Sequence, residues 1–214
     1  MSDSVIQDDA ARESPLLQFF ASRRGTRSPA GPGVSLGEHA FLGHVNLRGD
    51  PEGAAFLDAV RGVLGVGLPT EPNTVVEGDG VGALWLGPDE WLLITPPSME
   101  TQLTEALREA LHDTFAAVTD VSGGQTVITI QGPRARDVLA KGCSLDLHPR
   151  VFRPGLCAQT LVASVGAIIR QIDEKPSFDL IVRRSFAEYL ALWLEDAAQE
   201  YGLEVVGDGG QISH

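Results

Sequence analysis

The sequence predicts an α+β protein made of two βαββαβ units in tandem, each a sheet covered by helices on one face. Three observations predict it. Residues 125–131 carry branched side chains in a strand pattern and run through Gly132-Pro133 directly into an amphipathic helix over 133–141. The same order of strands and helices can be followed over about 41–121 and again over about 122–207, as a repeat of structure with little repeat of residues. The 214 residues, 43% apolar and 21% charged, have the length and balance of a globular body with a substantial core.

In the first unit, residues 44–48 (HVNLR) form a short strand. Asp50 is placed as a helix N-cap, with Pro51 at the first helical position. The helix then spaces Phe56, Val60, Val63 and Leu64 as one buried stripe, and Gly65 ends it. Strands follow over about 73–78 and 82–94, the second interrupted by Gly87-Pro88-Asp89. Ser98 is set to cap a helix with Leu103, Ala106 or Leu107, Ala110 and Leu111 inward, and 116–121 closes the unit as a strand.

In the second unit, Gly132 supplies the corner after the first strand and Pro133 suits the first helical turn, where its missing N–H costs nothing. That helix turns Val138 and Leu139 inward and Arg134, Arg136 and Asp137 outward. Strands are expected near 157–164, 166–172 and 178–183, a helix over 186–201 and a last strand at 203–206. Ser185 and Glu188 form a capping box for that helix, with Phe186, Leu190, Trp193 or Leu194, and Ala197 on its inner face.

Outside the body of 39–207, residues 1–38 read as a flexible N-terminal tail, polar and then rich in Gly, Pro and Ser, and 208–214 as a C-terminal tail. The tail's apolar cluster, Leu16, Leu17, Phe19 and Phe20, either packs back on the body or docks on a partner. Charge is 16 basic against 29 acidic residues, a net −13, which argues against nucleic acid as a partner. Two cysteines make no disulfide framework and point to a reducing compartment. The N-terminus lacks a signal-peptide pattern and no run reaches the roughly 18 apolar residues of a membrane helix, so a cytoplasmic protein is expected.

No catalytic set emerges. Asp120 and Ser122 stand close together without a histidine to complete a triad, and Gly123-Gly124 reads as a plain turn. Cys143, His148 and Cys157 are too few and too irregular for a structural zinc site. Trp85 and Trp91 flank the turn at 87–89 and fit either a strand–helix core or a protein–protein surface. Arg48, Arg150, Arg153, Arg183 and Arg184 near element ends read first as solvated cations, second as partners for another subunit's carboxylates.

Several of these segments taken together carry a family resemblance. LRGDPEGAAFLDAVRGVLGVGLPTEPN, LWLGPDEWLL, DVSGGQTVITIQGPRARDVLAKGCSLDLHP, GLCAQT and FDLIVRRSFAEYLALWLEDAA, in that order over about 41–200, resemble the gamma subunit family of heterotetrameric sarcosine oxidase. More distantly, Asp120-Val121-Ser122 followed by Gly132-Pro133 is similar to the folate-binding aminomethyltransferases, including the glycine-cleavage T-protein. The resemblance implies a duplicated ferredoxin-like arrangement of the aminomethyltransferase type. It implies a non-catalytic subunit of a complex that oxidises sarcosine to glycine, hydrogen peroxide and a one-carbon unit captured by tetrahydrofolate. The partners implied are the alpha, beta and delta subunits; FAD, FMN, NAD and tetrahydrofolate belong to alpha and beta, zinc to delta, and no cofactor to this chain. Where aminomethyltransferases place an acidic pair, this chain has Arg170 and Gln171 after Gly166-Ala167-Ile168-Ile169, with Asp173 nearby. A guanidinium stays protonated and cannot serve as a base. The alternatives are a stand-alone folate-dependent one-carbon transferase using Asp120 and Asp173, and a folate-binding assembly factor. Trp85, Trp91, Phe19 and Phe20 are the interface residues expected.

Overall fold

The structure, a computed structural model, describes residues 12–206 apart from 24, 26, 29 and 30. The expected C-terminal tail and the first eleven residues lie outside that set.

Two sheets stack face to face, and each carries helices on its outer side. The first unit contains β2 (Gly43–Arg48), α2 (Ala54–Leu64), β3 (Val75–Glu77), β4 (Gly82–Gly87), β5 (Glu90–Thr95), α3 (Glu100–Ala110) and β6 (Ala117–Asp120). Its strands lie in the order β3-β4-β5-β2-β6, every neighbouring pair antiparallel. The expected strand over 82–94 is a tight hairpin, because Pro88 and Asp89 turn the chain and return Trp91 opposite Trp85. The second unit contains β7 (Gln125–Gln131), α4 (Ala135–Ala140), β8 (Cys157–Val162), β9 (Val165–Asp173), β10 (Ser177–Arg183), α5 (Arg184–Ala198) and β11 (Leu203–Val205).

The second sheet holds a strand from the stretch expected to be a tail. After α1 (Leu17–Arg23), β1 (Val34–His39) enters between β7 and β11, giving the order β11-β1-β7-β10-β9-β8. It runs antiparallel to β7 and parallel to β11. The described part of 1–38 is therefore built into the body. Val34 and Leu36 are buried under the helices, and Leu16 and Phe19 of the α1 segment join the same core. Polarity along 21–33 hid this, since β1 itself is only six residues long and contains Ser35, Gly37 and Glu38.

Three apolar layers result from the period-2 alternation of the strands. One lies between α2/α3 and the first sheet, around Phe56, Trp91 and Leu107. A second lies between α1, α4 and α5 and the second sheet, around Phe178, Leu190 and Leu194. The third joins the sheets through Leu84, Leu92, Ile94, Val127, Cys157 and Ile181. The sheets also meet along one side, where Val75 N donates to the Gly155 carbonyl and Cys157 N to the Asn73 carbonyl, each at 2.9 Å.

Helix starts differ from the expected caps. α2 begins at Ala54, because Asp50 spends its side chain on the Glu52 N–H (2.9 Å) in a turn preceding the helix. α3 begins at Glu100 behind Met99, while Ser98 sits at φ 68°, and α5 begins at Arg184 with no side-chain cap from Ser185. On α5 the buried face is Ala187, Leu190, Ala191, Leu194, Ala197 and Ala198, and Phe186 points to solvent. Gly65 ends α2 at φ 73°, its N–H on the Arg61 carbonyl. Among the described residues no helix is long and apolar enough to cross a membrane.

Candidate functional site

The space between the sheets holds the polar groups of interest. On β9 the residues 166, 168 and 170 face the first sheet, and on β10 residues 179 and 181 do the same, which brings Arg170 beside Asp179. Arg170 is buried, and its Nε and Nη2 donate to Asp179 Oδ2 at 3.0 and 2.9 Å. Its Nη1 crosses the gap to Glu77 Oε1 of β3 at 2.7 Å. A buried guanidinium is tolerable only when so paired. The arginine that stands where an acid was to be sought is thus committed to tying the two sheets together.

His44 of β2 faces the same space and is 1% exposed. Neither ring nitrogen has a hydrogen-bond partner among the described residues. Burial first, then the Arg170 guanidinium, pushes its pKa down to about 4, against the opposing pull of Asp120, the Leu42 backbone, which lies near the ring without forming a well-directed hydrogen bond, and Glu100. Its backbone N–H donates to Ser122 Oγ at 2.9 Å, and Ser122 Oγ and N both donate to Asp120 Oδ1, at 2.5 and 2.9 Å. The DVS segment is consequently a side-chain-closed turn leading into the 3₁₀ turn Ser122–Gly124, which anchors β6 to β2.

Beyond this polar set the sheets separate into a cleft of about 450 Å³. Leu86, Leu92, Val121, Ile168 and Ile181 form its apolar walls, and Asn46, Glu90, Thr119, Gln125, Gln159 and Arg183 its polar ones. Three of those six are engaged within the chain. Asn46 Nδ2 donates to Glu90 Oε1 at 2.8 Å, and Gln159 Nε2 to the Leu86 carbonyl at 2.7 Å. Gln125 Oε1 is buried without a partner among the described residues.

The other expected site residues are dispersed. Asp120 lies in β6 and Asp173 at the end of β9, in different sheets. Cys143 Sγ contacts Thr160 Oγ1 at 3.7 Å, whereas Cys157 Sγ donates toward the Thr74 and Trp85 carbonyls. Burial pushes the Cys157 thiol up to about 11. Among the described residues there is no group of three or more His, Cys, Asp and Glu placed to hold a metal ion. Gln171, next to Arg170, donates to the Asp173 carbonyl at 2.7 Å. Of the cations, Arg48 pairs with Asp89 at 3.2 Å and Arg184 donates to the Glu13 carbonyl at 2.6 Å.

Two expected interface residues are corrected. Trp91 is fully buried, its ring tilted against Phe56 and its Nε1 donating to the Pro69 carbonyl at 2.8 Å. Phe19 is buried in the helix-side core of the second sheet, edge-on to Phe20. Trp85 and Phe20 remain half-buried. Sequence reading passed over His44 and the Arg170–Asp179 pair; the one available signal was a charged residue at an inward position of each otherwise apolar strand.

Comparison with known proteins agrees with this architecture. The sarcosine oxidase, gamma subunit family matches residues 48–200. The chain is 36% identical over 206 residues to the sarcosine oxidase subunit gamma of Corynebacterium sp. (strain P-1), covering 96% of this chain and 98% of that one. It superposes on a chain of the heterotetrameric sarcosine oxidase from Corynebacterium sp. U-96 in complex with pyrrole 2-carboxylate, with a TM-score of 0.81 and 32% identity, covering 94% of this chain and 99% of that one. The glycine cleavage system aminomethyltransferase T from Bartonella henselae gives a TM-score of 0.64 at 14% identity, over 90% of this chain and 58% of that one, a likeness of fold alone. On the family match and the near-complete correspondence with its relatives, the chain belongs to the sarcosine oxidase, gamma subunit family.

Proposed function

We propose that this chain is the gamma subunit of a cytoplasmic heterotetrameric sarcosine oxidase and acts in it as a scaffold that does no chemistry itself. The assembly turns sarcosine, dioxygen and tetrahydrofolate into glycine, hydrogen peroxide and 5,10-methylenetetrahydrofolate. In this reading FAD, FMN, NAD and tetrahydrofolate are carried by the alpha and beta subunits and zinc by the delta subunit.

The observation that carries the proposal is the end-to-end match to a chain of a heterotetrameric sarcosine oxidase, covering 94% of this chain and 99% of that one. The interior supports the scaffold role. Arg170 is consumed by Asp179 and Glu77, and the Cys157 thiol is buried and held protonated. The surface offers apolar side chains for partners: half-buried Trp85 and Phe20, and Phe186, Tyr189 and Leu192 exposed along α5.

Co-expression of the tagged chain with the companion subunits tests it. Flavin-bearing larger subunits should co-purify, and the eluate should release hydrogen peroxide from sarcosine. A chain that elutes alone overturns the assembly, and a chain that elutes alone with stoichiometric flavin or metal overturns the scaffold role as well. Micromolar tetrahydrofolate binding lost on Asp173→Ala would replace it with a folate-dependent transferase.

A further inference from the structure

The first sheet ends at β6, an edge on which the described chain lays no further strand. Asn46 pairs with Thr119 and Arg48 with Ala117, and Val121 N donates to the His44 carbonyl at 2.9 Å. This register turns the backbone N–H and C=O of Ala117 and Thr119 toward β2. Alternation in an antiparallel pair then points those of Val118 and Asp120 outward. The Val118 carbonyl confirms it, since Arg108 Nη2 of α3 reaches around to donate to it at 2.9 Å.

The other three sheet edges are each touched by another segment of the chain, at least at their ends. Ser28 N donates to the Leu203 carbonyl of β11 at 3.0 Å, with Arg27 bridged to Glu204. The 155–157 segment lies on β3 through Val75 N and the Asn73 carbonyl. β8 is flanked at one end by the Thr74–Leu156 bridge and at the other by Cys143, which bridges Val162. Among the described residues no strand or bridge lies on the outer side of β6, where the Val118 carbonyl accepts from Arg108 and would exchange that bond for one to an added strand. Ala117-Val118-Thr119-Asp120 has no Lys, Pro or bulge; its shortness and the Asp120 charge are what limit pairing there to a matching strand.

A second, independent feature adjoins this edge. Phe115, two residues before β6, is fully exposed, the most exposed of the large apolar side chains described. A bare ring beside a strand edge free of a neighbouring strand is a pairing that strand addition uses, with backbone bonds giving affinity and a side-chain anchor giving register. The margin of the edge is acidic. Glu105, Glu109, Asp113 and Asp120 are exposed along α3, the following loop and β6, and Arg108 is already engaged by the Val118 carbonyl.

We propose that β6 receives an extended, basic segment of a companion subunit as an added strand of this sheet, with Phe115 buried at its end. The inference rests on the heterotetramer reading and goes beyond it by naming the docking element, its backbone register and the charge of what it accepts.

Residue-resolved hydrogen exchange on the assembled complex tests it. With a strand added, all four amides from Ala117 to Asp120 are protected, those of Val118 and Asp120 exchanging about tenfold or more slower than exposed amides. If Val118 and Asp120 exchange freely in the complex while Thr119 is protected, the docking is overturned. Phe115→Ser, which touches no core residue, should cut recovery of the companion subunits by about tenfold in co-expression. Val118→Pro, which removes an outward donor and leaves the bonds to β2, should do the same. Recovery equal to wild type for both variants also overturns the proposal. A wild-type chain that captures no companion overturns the heterotetramer reading first, and this inference with it.

Discussion

Single residues between the sheets set the chemistry of this interior. His44 is neutral when folded, because burial and the nearby Arg170 guanidinium oppose its protonation; Asp120 and Glu100 pull the other way and lose. The unfolded chain binds a proton at the ordinary histidine pKa of about 6.5, so stability is complete above that pH and declines as pH falls toward 4. At pH 5 the loss is about 2 kcal/mol relative to pH 7. Urea unfolding at the two pH values should show that loss in the wild type and about 2 kcal/mol less of it in His44→Phe. An equal pH effect in both proteins would show that His44 does not contribute. None of this was legible in HVNLR, where His44 reads as an ordinary strand residue. Nor was the place of Trp91, since a tryptophan beside a turn satisfies core and surface patterns equally and only Phe56 and the Pro69 carbonyl decide between them.

At the scale of elements, strands were the most legible. Residues 125–131 and 178–183 stand out because their alternating burial is written in Val, Ile and Leu, and the structure has β7 at Gln125–Gln131 and β10 at Ser177–Arg183. Helix starts were less so, because Asp50, Ser98 and Ser185 each fit a cap and each is used otherwise or not at all. β1 was missed because its identity as a strand is conferred by neighbours: β7 and β11 supply its hydrogen-bond partners, and their positions are fixed only after folding. Its insertion also explains Gly132. There φ is 119°, and a Cβ would lie 2.6 Å from the Gly33 carbonyl oxygen that accepts the Arg134 N–H. A chain begun at Phe41, where regular patterning starts, should fail to fold, because β7 and β11 lose the strand between them and the core loses Leu16, Phe19, Val34 and Leu36. The checks are solubility and a cooperative thermal transition, and a chain begun at Phe41 that keeps a wild-type melting temperature would show β1 to be dispensable.

For the whole molecule, two similar units are joined into one body by the apolar layer between the sheets, which one buried arginine spans. Arg170 reaches from the second sheet to Glu77 of the first while held by Asp179. Arg170→Met should cost about 3–5 kcal/mol, since it strands the buried Asp179 carboxylate. Arg170→Met with Asp179→Leu should recover much of that, because the uncompensated charge goes too. Glu77→Gln should cost under about 1 kcal/mol, its carboxylate being largely exposed. Chemical denaturation of the three variants checks the order, and a double variant no more stable than Arg170→Met would rule out the ion-pair account.

By itself, the sequence determined the elements whose partners are their own alternation, and with them the duplicated plan and the family. Tertiary structure alone decided that β1 completes the second sheet, that Trp91 and Phe19 are interior, and that Arg170 is a fastener. The reason is physical: periodicity records which side of an element meets water, whereas pairing between elements depends on residues far apart in the chain, as Val34 and Leu203 or Arg170 and Glu77 are.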